Sequence, residues 1–354
     1  MATADTETVV PVADPSALMA SFVEHIRQEH GMEFDDIGEG AKALETGGLR
    51  IEFAPLDQGL AVKIRAPQPE ILIFFKEEVA NHVAERDAQA ASKIRWSNET
   101  ATVGALPDNF KVLTVVRSRT LFDGLFRVTL TSDSIGAFAG GGIHVRLMMP
   151  LIRGRRPIWP RMGENGAPIW PDGEDKLHAR TVTISAVRPD ARELDIDIAH
   201  HGGGLISDWA AGAAAGDTVG IMGPAGSTPI EPQRGLFFAA DLTGLSTVAR
   251  LIGGLEGGAE GDVVVAFPAG EDLTAYFPPS SLRLQSLAPE AFEARIVALA
   301  EQLTAPGATH FAFFAGEFAN AQALRAHFKG ALGLDKSHQV AIPYWRRGVP
   351  GYGS

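Results

Sequence analysis

The sequence predicts a multi-domain α+β protein: a small N-terminal α+β domain, an antiparallel β-barrel domain, and a C-terminal α/β domain on a parallel sheet. Two changes of hydrophobic period along the chain carry this reading. Helical spacing and short hairpins come first, evenly spaced alternating runs follow, and continuous apolar runs separated by helical stretches come last. Length is the third observation, because 354 residues exceed what one compact core organises. The expected domains span 12–98, 107–231 and 232–348.

In the first domain, Ser16 stands where it can cap a helix whose Leu18, Met19, Phe22, Val23 and Ile26 recur at helical spacing. The runs 48–53 and 60–65 alternate, and read as antiparallel strands joined by a turn containing Asp57 and Gly59. A second helix is expected over 70–91, ending near Trp96, with a polar linker at 97–101.

The middle of the chain alternates at 111–116, 126–130, 144–148, 180–184 and 193–198, the signature of short strands in an antiparallel barrel. An insert at 152–177, rich in Pro, Gly and Trp, reads as a surface excursion. Beyond residue 232, the runs 235–240, 262–267, 309–315 and 338–342 are continuously apolar, as strands buried on both faces are. Helical stretches at 245–255, 289–303 and 319–332 separate them, giving a parallel sheet with right-handed crossovers.

Composition excludes several function classes. A net charge of −12 argues against sequence-independent binding to nucleic acid or to an anionic membrane. The absence of cysteine excludes disulfides, zinc–thiolate sites and iron–sulfur clusters. No apolar run approaches the roughly 18 residues that span a bilayer, and the N-terminus lacks a signal pattern. A cytoplasmic protein without membrane insertion is expected.

Two motifs carry chemistry. Gly202, Gly203 and Gly204 lead into Leu205, Ile206 and Ser207, and a glycine turn that opens a helix presents free backbone N–H groups to a pyrophosphate. Most glycine runs are plain turns, but the helix opening that follows supplies the required context. Upstream, Arg180, Thr181, Val182 and Thr183 lie on a short strand, and the planar arginine fork matches phosphate geometry. The plainer alternative, an ordinary strand with an exposed arginine, loses ground once the glycine turn follows. Asp241, Thr243 and Gly244 stand at the carboxyl end of the first α/β strand, where a nucleotide approaches such sheets. Glu271 and Asp272, after the second strand, disfavour a 2′-phosphate and slightly favour NADH, with a charged loop as an equal alternative. His200 and His201 read as cofactor-proximal or solvent histidines, and His25 and His30 as structural. Tyr344, Trp345, Arg346 and Arg347 form a local basic cluster able to attract an anion, or a solvated tail.

Several stretches together resemble one family: HVRLMMPLIRGRRPIWP with APIWPDGEDKLHARTVT, ELDIDIAHHGGGLISDWA, GDTVGIMGPAG, and FFAGE with the terminal YWRRG. Over 110–348 the sequence resembles the siderophore-interacting proteins, FAD-dependent ferric-siderophore reductases with a ferredoxin-reductase-like layout. The first segment resembles a small domain of unknown function sometimes fused ahead of them. The resemblance implies FAD as cofactor, NAD(P)H as electron donor and a ferric siderophore as substrate. It implies cofactor contacts from Arg180, Thr181, Val182 and Thr183, then from Asp197, Ile198 and Ala199. His201, Gly202, Gly204, Leu205, Ile206, Ser207 and Thr243 complete that implied set. Tyr344, Trp345, Arg346 and Arg347 are the implied substrate contacts. No catalytic acid or base and no protein metal site are implied.

The sequence departs from the family pattern in four places. Val182 stands where an aromatic usually stacks on the flavin, a contact that contributes about 0.5–1.5 kcal/mol for an aromatic pair. The helix-opening turn reads Gly-Leu-Ile-Ser at 204–207 instead of Gly-Pro-Ala-Ser. Ser185 replaces a frequent arginine, and Ala-Asp-Leu-Thr at 240–243 replaces Gly-Asp-Glu-Thr. Two rival functions remain at this point: a general flavin or quinone reductase on the same scaffold, and a siderophore- or flavin-binding protein that has lost turnover.

Overall fold

The computed structural model describes residues 4–30, 32–46, 48–67, 69–97, 102–140, 142–200, 204–225, 230, 233–268 and 270–349. The chain divides into two compact units, Met1–Lys111 with Ile152–Leu177, and Val112–Leu151 with His178–Ser354.

The first unit contains β1 (Ala4–Val10), α1 (Pro15–His30), β2 (Asp35–Gly38), β3 (Ala41–Thr46), β4 (Leu49–Leu56), β5 (Gly59–Ala66), α2 (Pro69–Ala84) and α3 (Ala88–Ser92). Its sheet is antiparallel in the order β1-β5-β4-β3-β2. Strand alternation gathers Ile51, Phe53, Val62 and Ile64 into one core with Leu18 and Phe22 of α1 and Leu72 and Val79 of α2. The β4–β5 hairpin expected from the sequence is present, and Gly59 is required in it. With φ at +143, a Cβ there would lie 2.1 Å from the Val10 carbonyl oxygen.

Two local expectations are corrected. The cap of α1 is Asp14, which accepts from Ala17 N at 2.9 Å; with Pro15 opening the helix, Ser16 already lies inside it. The single helix expected over 70–91 is two, because Asp87 accepts from Ala90 N and starts α3 afresh. Strands β1, β2 and β3 carry too little alternating apolar character to be expected from sequence.

The second unit begins its barrel with β6 (Phe110–Phe122), β7 (Leu125–Thr131) and β8 (His144–Pro150). The insert then departs with the short ladder of β9 (Arg161–Met162) and β10 (Pro168–Ile169). Rather than a surface excursion, it is an integral part of the first unit. Ala167 enters that unit's core, Trp170 Nε1 donates to Glu77 at 2.6 Å, and Arg95 pairs with Glu164 at 3.1 Å.

The chain returns through β11 (Leu177–Arg188), β12 (Glu193–Ala199), α4 (Leu205–Gly212) and β13 (Thr218–Ala225), closing a barrel in the order β11-β12-β7-β6-β13-β8. Val128, Leu130, Leu147, Ile184, Ile196 and Val219 fill it. The remainder is β14 (Leu236–Ala240), α5 (Leu245–Gly253), β15 (Gly261–Ala266), α6 (Leu273–Tyr276), β16 (Arg283–Leu287), α7 (Pro289–Leu303), β17 (Phe311–Glu317), α8 (Phe318–Ala326) and β18 (Gln339–Trp345). These strands form a parallel sheet in the order β16-β15-β14-β17-β18. Residues of β14 and β17 are buried along their whole length, as their continuous apolar runs require. Phe122 and Leu125 of the barrel belong to the same apolar cluster as Phe238, Val265 and Phe313 of the sheet, so the two layers share a core.

Phe238 is fully buried on the central strand of that sheet. Phe238→Ala is expected to cost about 3–5 kcal/mol, read as a lowered denaturant midpoint.

Candidate functional site

The expected cofactor strand is β11, and its residues divide by direction. Thr181 is exposed, Val182 is half-buried against the barrel core, and Thr183 is buried. Thr183 Oγ1 lies 2.8 Å from Thr247 Oγ1 and 3.2 Å from His144 Nδ1. Thr247 Oγ1 in turn lies 3.0 Å from the Tyr344 hydroxyl. Four elements thus deliver one side chain each to a continuous polar chain: His144 opens β8, Thr183 lies on β11, Thr247 is in the first turn of α5 and Tyr344 is near the end of β18. The His144 and Tyr344 rings meet edge to face, with centroids 6.3 Å apart. Burial pushes the His144 imidazole down to about 4 and pushes the Tyr344 phenol up, so both are neutral near pH 7.

Gly244 lets α5 start this close to the sheet. A Cβ there would lie 2.7 Å from the Ala315 carbonyl oxygen and 2.8 Å from the Ala315 Cβ. Among the described residues the α5 start has no side-chain cap, and it lies at the sheet's carboxyl edge.

Arg180 is half-buried, and its Nη1 donates to the Ala179 carbonyl oxygen at 2.9 Å. Among the described residues it has no carboxylate partner, and burial lowers its pKa. It is therefore a cation with donors to spare. Among the described residues nothing caps the α4 start at Gly204 with a side chain, and Ser207 Oγ turns back to donate to the Gly204 carbonyl oxygen at 2.8 Å. Leu205 is exposed at that start while Ile206 is buried. His201, Gly202 and Gly203 lie outside the described residues. On β11, Ser185 Oγ is buried and has no hydrogen-bond partner among the described residues. An unneutralised arginine, an uncapped helix start and an orphaned hydroxyl fit a pyrophosphate-bearing cofactor such as FAD, which brings both charge and acceptor oxygens.

Other expected residues are already committed within the protein. The Asp197 carboxylate is held by Arg127 Nε and Nη2, each at 2.7 Å, and by the Tyr276 hydroxyl at 2.8 Å. With 1% of its side chain exposed, it offers a ligand its backbone only. Ile198 is in the barrel core, and Ala199 is half-buried. Thr243 spends its hydroxyl on Asp241 at 2.6 Å, and Trp345 Nε1 donates to the other Asp241 oxygen at 2.7 Å. Burial raises the Asp241 pKa against these bonds. Asp272 caps α6, accepting from Thr274 N at 2.9 Å and Thr274 Oγ1 at 2.6 Å, so its carboxylate has a structural use. His200 is exposed, 3.8 Å from Asp208.

The terminal cluster separates into different roles. Tyr344 joins the buried chain and Trp345 holds Asp241. Arg347 pairs with Glu293. Arg346 lies over the Phe318 ring at 4.6 Å, is exposed, and has no carboxylate partner among the described residues.

Sequence reasoning missed His144, Thr247, Arg127 and Tyr276 as site residues. Arg127 becomes legible only through the β7–β12 register that sets it opposite Asp197. Thr247 follows a glycine turn into a helix, which is the one local signal it carries.

Because the His144 pKa falls on folding, the unfolded chain binds more protons between about pH 6.5 and 4. Stability is then complete above about 6.5 and declines as pH falls toward 4, by up to about 3 kcal/mol. Denaturant unfolding across that range should show a shallower decline in His144→Asn than in the parent.

Residues 114–228 match the siderophore-interacting FAD-binding domain, and residues 233–348 match the siderophore-interacting protein domain. The ferric vibriobactin reductase ViuB of Vibrio cholerae is 30% identical over 256 residues, covering 67% of this chain and 90% of the relative. The NADPH-dependent ferric-chelate reductase of Escherichia coli K12 is 26% identical over 245 residues, covering 67% and 92%. The siderophore-interacting protein SipS from Aeromonas hydrophila superposes with a TM-score of 0.56 at 28% identity, covering 68% of this chain and 93% of that one. A siderophore utilization protein from T. fusca gives 0.54 at 26% identity, covering 71% and 97%. The two matches follow one another along the barrel and the parallel sheet, and the chain belongs to the siderophore-interacting protein family.

Proposed function

We propose that this protein is an NAD(P)H-dependent ferric-siderophore reductase that carries FAD on its barrel. The observation that supports this most is Arg180: a half-buried cation without a carboxylate partner among the described residues, on a strand inside the stretch that matches an FAD-binding domain. A half-buried, uncompensated charge costs free energy unless an anion meets it. FAD bound there supplies the electronic chemistry, taking two electrons together from NAD(P)H and giving them up singly.

The chain's own residues bind and orient. Arg180 and Thr181, with the α4 start at Gly204, Leu205, Ile206 and Ser207 and the preceding His201 and Gly202, hold the pyrophosphate. With FAD bound, Val182 would lie toward the ring system, Thr183 would offer its hydroxyl to the ring edge, and the backbone of Asp197, Ile198 and Ala199 would line the floor. Thr243 and the uncapped α5 start receive the nicotinamide nucleotide. Tyr344, Trp345, Arg346 and Arg347 form the ferric-siderophore side of the site. Tyr344 and Trp345 are anchored on Thr247 and Asp241, Arg347 is paired with Glu293, and Arg346, without a carboxylate partner among the described residues, draws an anionic chelate. We assign 12–98, joined by the insert 152–177, to a domain of unknown role, the remainder of 107–231 to FAD binding and 232–348 to NAD(P)H binding.

The reaction balances as one NAD(P)H and two ferric chelates giving NAD(P)+, one proton and two ferrous ions. Iron(III) is a hard ion held tightly by chelator oxygens, and iron(II) is held less well, so reduction releases it. A cytoplasmic setting suits the donor, and no described helix is long and apolar enough to cross a membrane.

The test is NAD(P)H oxidation on a ferric siderophore with a ferrous-specific chromogenic trap. Two ferrous ions per NAD(P)H are expected, and Arg180→Ala should weaken FAD binding about tenfold to a hundredfold, the worth of a charged hydrogen bond. A deflavinated preparation that reduces the chelate as fast as the holoprotein would overturn the reading.

A further inference from the structure

The buried chain of His144, Thr183, Thr247 and Tyr344 has few ways to share its protons. Each hydroxyl carries one proton and accepts with its lone pairs, while a neutral imidazole donates from one nitrogen and accepts on the other. The Tyr344 phenol is the most acidic hydroxyl of the three, hence the best donor. A bare imidazole nitrogen is the best acceptor. The favoured polarity therefore runs from Tyr344 O–H to Thr247 Oγ1, from Thr247 O–H to Thr183 Oγ1, and from Thr183 O–H to His144 Nδ1, over 3.0, 2.8 and 3.2 Å. The reverse polarity would start on an Nδ1–H and leave the strongest donor, Tyr344, only Thr183 to donate to, whose oxygen would already accept from the imidazole.

We propose that His144 is a positioning residue: by taking the Thr183 proton on Nδ1, it leaves Thr183 Oγ1 presenting only a lone pair to whatever lies beyond it. This rests on the reading that Thr183 meets the edge of a flavin. Flavin N5 is a bare acceptor when oxidised and an N–H donor when reduced. A lone pair at Thr183 Oγ1 is matched to the N–H, so the chain favours the reduced cofactor. His144, opening β8, thus tunes the site through Thr183 without touching the cofactor itself. Its own ring stays neutral near pH 7 because it is buried.

The test has two parts. In the full-length protein labelled with 15N-histidine, long-range proton–nitrogen correlation near pH 7 reports the His144 tautomer, before and after FAD is added. His144→Asn assigns the signal by its loss. A protonated Nε2 with a bare Nδ1 is expected, and an Nδ1–H would overturn the proposal. The second part is the midpoint potential of bound FAD. His144→Phe removes the acceptor and frees the Thr183 proton to turn toward the oxidised cofactor. One hydrogen bond is worth about tenfold in equilibrium, so the midpoint should fall by about 30 mV for a two-electron couple. His144→Asn, whose amide oxygen can accept from Thr183, should restore it. A midpoint unchanged or raised in His144→Phe would contradict the proposal. Failure of the parent protein to take up FAD would defeat the functional reading instead, and the tautomer would still decide the polarity.

Discussion

Thr183 on the barrel and Thr247 in the first turn of α5, which packs on the parallel sheet, are hydroxyls both buried and bonded to each other at 2.8 Å. A buried hydroxyl that loses its partner costs about 1–3 kcal/mol, so neither layer can shift without a penalty at this contact. His144 and Tyr344 extend the constraint to β8 and β18. A second tie lies at Asp197, which joins Arg127 on the barrel to Tyr276 on α6. Between these ties the apolar cluster of Phe122 and Leu125 with the parallel sheet supplies area without direction. Hydrophobic burial holds barrel and sheet together, and the polar contacts decide at which angle.

That angle matters because a reductase of this layout brings a nucleotide on one layer to a cofactor on the other. The glycine turn at Gly244 admits α5 against Ala315, and its uncapped start opens at the same sheet edge where Asp241 receives Trp345. Charge follows a similar division. The chain is acidic overall, and many of its arginines are paired: Arg188 with Asp195, Arg155 with Asp175, Arg283 with Asp262. Arg180 and Arg346 are among the arginines with no carboxylate partner among the described residues; Arg250, also half-buried, is another, and what distinguishes Arg180 is its place on β11. Val182 shows the opposite economy, a valine that serves the barrel core where the family usually places a stacking ring.

Much of this was legible in the sequence, and the reasons are physical. Continuous apolar runs mark β14, β15 and β17 because those strands are covered on both faces. The edge strand β16 was missed because its residues are largely exposed and carry no such run. The opening of α4 after Gly204 was readable because a helix start is a local signal. His144 and Thr247 were not, since their significance arises from contacts at separations of 39 and 64 residues from Thr183. Asp197 shows how the fold narrows an expected role to the backbone. Its position in a family motif pointed to a ligand, whereas the fold commits its carboxylate to Arg127 and Tyr276. The insert at 152–177 looked peripheral by composition, yet Trp170 and Ala167 build it into the first unit.

The most direct measurement of the central claim is the anaerobic visible spectrum of the FAD-loaded protein. Addition of NADPH or NADH should bleach the flavin band, and ferric siderophore should then restore it while ferrous iron accumulates. A protein that takes up no FAD, or a bleached band that ferric siderophore leaves unchanged, would contradict the account.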